Sequence, residues 1–167
     1  MSENGFDVIM ISSSGHEIKE IIKKENCQHI TVSLTRKITP YKDLIATYRL
    51  FKILKKIKPT IVHTHTPKAG IVGMLASFLA NVPIRIHTVA GLPLLEARGI
   101  KRLILNLVEK STYSLSSKIY PNSYGLKNII LQKKFAPERK IKVVGNGSSN
   151  GIDTSFFDPN LISRADK

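Results

Sequence analysis

The 167-residue chain contains a single cysteine, Cys27, and no tryptophan. A lone thiol excludes an internal disulfide, and with it the cystine-stapled secreted scaffolds; a reducing cytoplasm fits best. Aromatic residues make up only 7% of the chain. None stands in an RNP-like or zinc-finger pattern, so no specific nucleic acid partner is expected. No apolar run approaches the roughly 18 residues that a membrane span requires. The opening "MSENGFDVIM" has neither the positive start nor the cleavage site of a secretory signal. Acidic residues are scarce as well: 12, against 26 Lys and Arg, leave a formal net charge of +14. Such a surplus attracts something anionic: a phosphorylated small molecule, an acidic bilayer surface, or nucleic acid held by charge alone.

What is present is a regular alternation. Short β-branched runs, read as strands, stand at "FDVIMISS", "HITVSL", "TIVHTH", "IRIHTV", "KIYPNS" and "KIKVVG". Helical patterns separate them over His16–Glu25, Tyr41–Lys58, Ala69–Ala80, Gly99–Ser116 and Gly125–Lys134. Strands apolar on both faces between helices predict an α/β domain, a Rossmann-like parallel sheet with helices on both faces. Ligands of such sheets bind at the carboxyl ends of the strands. On the helix from Tyr41, the residues Leu44, Tyr48, Phe51 and Leu54 form the expected buried stripe, with Lys42, Arg49, Lys52 and Lys56 on the solvated side. Residues 1–158 form the expected domain, and the polar 159–167 read as the start of a linker. No strand or Gly-rich phosphate turn precedes Phe6, so the sheet is expected to open one βα unit late.

Three constellations bear on chemistry. His63 and His65, two apart on a strand, share a face, and His87 ends the next strand in the same style. Along one rim the three imidazoles would suffice for zinc and an open water position, which is the reading of a metal-dependent hydrolase. Against it, no acidic residue follows the pair. In the competing reading His63 packs in the sheet while His65 and His87 serve a site. The loop "VVGNGSSNGID" exposes backbone N–H groups that can approach a phosphate or sugar, although Asn-Gly is also an ordinary turn. In "GLPLLEARGIKRLILNLVEK", Leu94 and Leu95 precede Arg98, Lys101 and Arg102. Apolar groups beside a basic cluster suit the headgroup layer of an anionic membrane surface, or alternatively the packing of a helix start.

In order and spacing, "KPTIVHTHTPKAGIVGMLAS", "PIRIHTVAGLP" and "IKVVGNGSSNGIDTSFFDP" resemble the N-terminal half of family-4-type retaining glycosyltransferases, of the kind that builds capsule, O-antigen or exopolysaccharide on a lipid carrier. The resemblance runs from about Gly5 to Pro159. It implies one half of a GT-B fold: an acceptor-side domain facing a second domain that binds a nucleotide-sugar donor, with no metal or other cofactor. By position it implies His87 as the catalytic-site histidine, with His65, Gly91 and Ser123 on the side of a polyprenyl-linked saccharide acceptor. Asn150, Gly151 and Asp153 match the hinge element near the donor. The expected localisation is cytoplasmic, peripheral on the inner membrane face. The family's Gly-rich first loop and its strand have no match, and neither does the donor domain, so the chain reads as a fragment, inactive alone. The missing strand is expected to leave a gap in the sheet or a rearranged edge. A non-catalytic acceptor-binding or scaffold subunit of a split transferase is the alternative.

Overall fold

The computed structural model describes residues 4–16, 18–25, 27–35 and 39–147. Through them strands and helices alternate: β1 (Ile9–Ser12), α1 (Ile18–Glu25), β2 (Gln28–Thr31), α2 (Pro40–Ile57), β3 (Ile61–Thr64), α3 (Pro67–Leu79), β4 (Ile84–Val89), α4 (Gly99–Leu115), β5 (Lys118–Pro121) and α5 (Tyr124–Gln132). The pairings of β1 with β2, β3 with β4 and β4 with β5 are all parallel. The α/β class foreseen from the alternation therefore stands, with parallel sheets flanked by helices.

Local chemistry explains where the helices start. Thr66 caps α3, its Oγ1 accepting the Ala69 N–H at 3.3 Å, and Pro67 follows in the first turn, where no backbone donor is needed. Ser123 caps α5 in the same way, accepting the Leu126 N–H at 3.2 Å. The "KIKVVG" strand shrinks to one bridge, between Ile141 and Ile119. "FDVIMISS" pairs only over Ile9–Ser12.

One correction concerns α2. Of the expected stripe Leu54 is buried and Phe51 packs against the core, but Leu44 and Tyr48 are exposed, and the helix buries Ala46, Thr47 and Leu50 in their place. Small residues let α2 come close to α3, and that neighbour sets the buried side more strongly than the bulk of Leu44 or Tyr48.

The sheet is interrupted. β1 and β2 form one ladder and β3, β4 and β5 another. Ile11, Val32 and Val62 nevertheless pack with Leu50, Leu54, Val72 and Ala76 in one cluster, so α2 and α3 cover the same face of both ladders. No residue of α1 belongs to that cluster, which assigns α1 to the opposite face. With right-handed crossovers, a helix on that opposite face places β2 on the far side of β1. The break therefore falls between β1 and β3. A second cluster, from Val89, Leu94, Tyr113, Ile119, Ile130 and Phe135, closes the other end of the covered face.

Candidate functional site at the carboxyl rim

Parallel strands put their carboxyl ends on one rim, and three of the site residues foreseen above stand there. His65 follows β3, Gly91 follows β4 and Ser123 follows β5, all three exposed. His65 and His63 project together, ring centroids 4.1 Å apart and tilted by 35°. His63 Nε2 lies 2.8 Å from Thr88 Oγ1. Partial burial, reinforced by the positive charge His65 would carry, lowers the His63 pKa to about 4, and burial lowers that of His65 too. Both rings are therefore neutral near pH 7, each able to donate at one nitrogen and accept at the other. Such groups suit hydroxyls better than phosphates. The Ser123 hydroxyl accepts the α5 cap bond with one lone pair and keeps its proton and second lone pair to offer a ligand.

His87 is placed differently. It is 2% exposed, with Nδ1 2.7 Å from Thr64 Oγ1. Strand register explains this. His87 pairs with Thr64, and His63 pairs with Ile86. Paired residues of neighbouring strands share a face, so His87 points with Thr64 under α3 while His63 and His65 point the other way. Helix α3 lies almost flush on that face. A Cβ on Gly70 would stand 2.7 Å from His87 Cε1, and one on Gly73 would stand 2.6 Å from Thr64 Cγ2. Burial, then the nearby His63 and His65, hold His87 at about 4, while a hydrogen bond to Thr64 pulls upward. Contrary to the expectation for a catalytic group, its ring does not open on the rim. The three histidines do not converge, and among the described residues no group of three or more His, Cys, Asp or Glu could hold a metal ion.

An ion pair at the rim was not foreseen. Lys68 Nζ, in the first turn of α3, sits 2.7 and 2.6 Å from the two carboxylate oxygens of Asp43 in the first turn of α2. Thr39 Oγ1 donates to the same carboxylate at 3.1 Å. The pair ties together the starts of α2 and α3. Nothing in the spacing of Asp43 and Lys68 signals it, since the contact depends on α2 and α3 being neighbours.

The proposed membrane-contact set divides. Leu95, Arg98, Lys101 and Arg102 are exposed, but Leu94 is 0% exposed and belongs to the core, turned inward by the tight turn at Pro93–Leu95. A stronger apolar stripe lies next to it. Ile100, Leu103 and Leu107 of α4 are each at least 67% exposed, with Ile104 beside them. That i, i+3, i+4, i+7 spacing ordinarily marks a buried face. In α4 the buried face instead carries Glu109, Thr112 and Tyr113. Helix α2 repeats the pattern with exposed Tyr41, Leu44, Ile45 and Tyr48. A helix that follows a strand in such a sheet starts at the strand's carboxyl end, so both stripes begin at the histidine rim. No helix among the described residues is long and apolar enough to cross a membrane.

Asn150, Gly151 and Asp153 lie outside the described residues. The backbone leading to them passes the rim closely: a Cβ on Gly147 would lie 2.6 Å from the Asn122 carbonyl oxygen, next to Ser123.

Comparison with known proteins fits this geometry. A family model described as glycosyl transferase 4-like matches residues 1–123. The chain is 37% identical over 157 residues to the capsular polysaccharide biosynthesis glycosyltransferase CapM of Staphylococcus aureus, covering 94% of this chain and 40% of that protein. It is 31% identical over 165 residues to an Escherichia coli UDP-Gal:alpha-D-GlcNAc-diphosphoundecaprenol alpha-1,3-galactosyltransferase, covering 96% and 41% respectively. The chain thus spans about 40% of the length of these relatives. Among solved structures, a glycosyltransferase from Rickettsia africae superimposes with a TM-score of 0.62 at 23% identity, covering 98% of this chain and 40% of that one. Anabaena Alr3699/HepE, in complex with UDP and glucose, superimposes with a TM-score of 0.61 at 14% identity, covering 84% and 37%. At these identities the two structures speak to fold alone.

Proposed function

The chain belongs to the glycosyl transferase 4-like family, and from that premise we propose that it is the acceptor-side half of a retaining glycosyltransferase of cell-surface polysaccharide synthesis. The transferred sugar comes from a nucleotide-sugar held by a second domain, for which residues 159–167 begin the linker. The acceptor is a saccharide on a polyprenyl diphosphate, the acceptor class named for the Escherichia coli relative. The observation that carries the reading is the rim: His65, Gly91 and Ser123 on three adjacent strand ends, within or at the edge of the family match. Neutral imidazoles and a hydroxyl suit sugar hydroxyls, and backbone N–H groups near Asn150, Gly151 and Asp153 suit the donor phosphates. His87 acts by holding the β3–α3 layer in place beneath the rim.

The lipid carrier brings the reaction to a membrane surface. The stripe Ile100, Leu103, Ile104 and Leu107, flanked by Arg98, Lys101 and Arg102, is the contact, making the protein peripheral on the inner face. Flotation with vesicles of anionic or neutral phospholipid tests this. Binding to the anionic vesicles that falls at least about tenfold in a Leu103→Asp, Leu107→Asp variant is expected; equal failure of the unaltered chain on both vesicles removes the contact. Transfer is tested with UDP-galactose and GlcNAc-diphosphoundecaprenol, using the chain alone and the chain joined to a donor domain of the same family. No turnover alone and turnover when joined are expected. Turnover by the chain alone would refute the half-enzyme reading. Acceptor binding with no turnover in either form would favour the scaffold subunit.

A further inference from the structure

Beside the apolar stripe of α4 the surface folds into a groove of about 390 Å³, lined by Asn106, Leu107, Lys110, Lys133 and Phe135. That volume falls in the range of small-ligand sites, about 300–1,000 Å³. One wall is α4, where Leu103, Asn106, Leu107 and Lys110 recur at i, i+3, i+4 and i+7 and share a side of the helix. Leu107 therefore belongs both to the groove and to the exposed stripe. The other wall is the end of α5. There the Lys134 N–H donates to the Leu131 carbonyl at 2.9 Å and the Phe135 N–H to the Ile130 carbonyl at 3.1 Å, with Lys134 at φ 53°. This is a Schellman closure. It packs Phe135 with Ile130 in the core, leaves Lys133 beside the groove, and occupies two carbonyls of a helix end that is otherwise unfavourable to anions.

The lining calls for an anion with an apolar attachment. Neither Lys110 nor Lys133 pairs with a carboxylate among the described residues, where the ion pairs are Lys68 with Asp43 and Lys127 with Glu138. No acidic side chain among the described residues lines the groove. Asn106 Oδ1 is shut off from water and has no hydrogen-bond partner, so that oxygen gives up no bond when the amide turns outward to a ligand. Two ammonium groups suit phosphate oxygens, and Leu107 and Phe135 suit hydrocarbon.

We propose that this groove binds the headgroup of a hydroxyl-bearing anionic phospholipid, of the phosphatidylglycerol class. Lys110 and Lys133 take the phosphate oxygens and Asn106 accepts from the headgroup hydroxyl. The acyl chains begin over Phe135 and Leu107 and continue along Leu103 and Ile100. Continuity with the stripe at Leu107 selects a lipid over a free phosphate ester. The proposal rests on the membrane contact of α4 given above, and adds a discrete site for one lipid where charge attraction alone is diffuse.

The test uses the chain with dihexanoyl phosphatidylglycerol below its micelle concentration, beside dihexanoyl phosphatidylcholine and free glycerol 3-phosphate, followed by amide NMR. Phosphatidylglycerol should saturate one site and shift the Asn106 side-chain amide with the backbone amides of Lys110, Lys133 and Phe135. It should bind about tenfold more tightly than either comparison compound. A Lys110→Gln, Lys133→Gln variant should weaken it by about tenfold or more. A Lys42→Gln, Lys56→Gln variant, which removes equal charge from α2, should change it by less than about twofold. Equal shifts with phosphatidylcholine would make the groove an apolar contact without phosphate recognition, and overturn the proposal. Equal affinity for glycerol 3-phosphate would assign the groove to a soluble phosphate ester, which overturns it as well. Shifts along residues 100–107 with Lys133 and Phe135 unmoved would leave the stripe as the membrane contact and remove the headgroup site. Shifts at the groove in a chain that fails to float with vesicles would uphold the site and remove the stripe contact instead.

Discussion

His87 and His63 are the same residue type, one strand apart and near the same rim, yet the two faces of the sheet treat them oppositely. On the covered face His87 is buried, bonded to Thr64 and pressed against Gly70 of α3. On the open face His63 is exposed, bonded to Thr88 and stacked with His65. Side-chain identity does not separate structure from site here; strand parity does. A residue on the α3 side contributes packing and cannot meet a ligand without moving a helix, whereas one on the other side is ready to do so.

The largest expected effect tests that division directly. His87→Ala should cost about 3 kcal/mol of unfolding free energy, because it opens a cavity beneath α3 and leaves the buried Thr64 hydroxyl with only its long contact to the Ile86 carbonyl. His63→Ala should cost less than about 1 kcal/mol. Chemical denaturation of the two variants measures both. Comparable losses would dissolve the distinction between the faces.

Acid should act through the same residue. The His87 pKa is lowered to about 4 in the fold, against 6.5 for an imidazole in water. Between those values the unfolded chain binds more protons than the folded one, so stability rises with pH. The contribution is complete above about pH 6.5, drains as pH falls toward 4, and amounts to a loss on the order of 3 kcal/mol. The exposed His63 and His65 act in the same direction with less force. Burial raises the Glu109 pKa on α4; its contribution is present at low pH and lost as pH rises, which opposes the histidine slope. Unfolding curves across this range should steepen with pH in a Glu109→Gln variant and flatten when His87 is replaced.

The Gly73 position gives a smaller effect on the covered face. Gly73→Ala gains about 1 kcal/mol in helix propensity. However, its Cβ would arrive 2.6 Å from the methyl of Thr64, whose hydroxyl is committed to His87. Overpacking of about 1–3 kcal/mol should outweigh the gain. A net loss of about 1 kcal/mol is expected, accompanied by a rise in the His87 pKa if α3 lifts and admits water. Titration of the His87 ring by NMR follows this second consequence, and an unchanged pKa with unchanged stability would mean that α3 does not bear on the sheet as described.

Much of this architecture could be read from local chemistry. The alternation of β-branched runs with helices announced the parallel α/β class, and the helical patterns from Ala69 and Gly125 fall within two residues of the starts of α3 and α5. What could not be read were features that depend on partners distant in sequence. His87 was assigned to the rim because its strand resembles that of His63, and only the register of β3 on β4 reveals their opposite parity. Helical spacing on α2 points to Leu44, Tyr48, Phe51 and Leu54, whereas the contact with α3 buries Ala46, Thr47 and Leu50 beside Leu54. The pair of Lys68 with Asp43 depends on the same contact. Leu94 and Leu95 are neighbours in a loop, and one tight turn sends them to opposite environments.

The smallest effect is expected on the open face. Ile61 and Ile84 lie side by side, each more than one-third exposed. Replacing both with threonine keeps the β-branched shape that a strand favours and removes apolar surface that water already reaches. Stability should therefore change by no more than about 0.5 kcal/mol in the isolated chain. Chemical denaturation of the double variant beside the unaltered chain measures this, and a loss above about 1 kcal/mol would show that the two isoleucines are packed as firmly as those of the covered face.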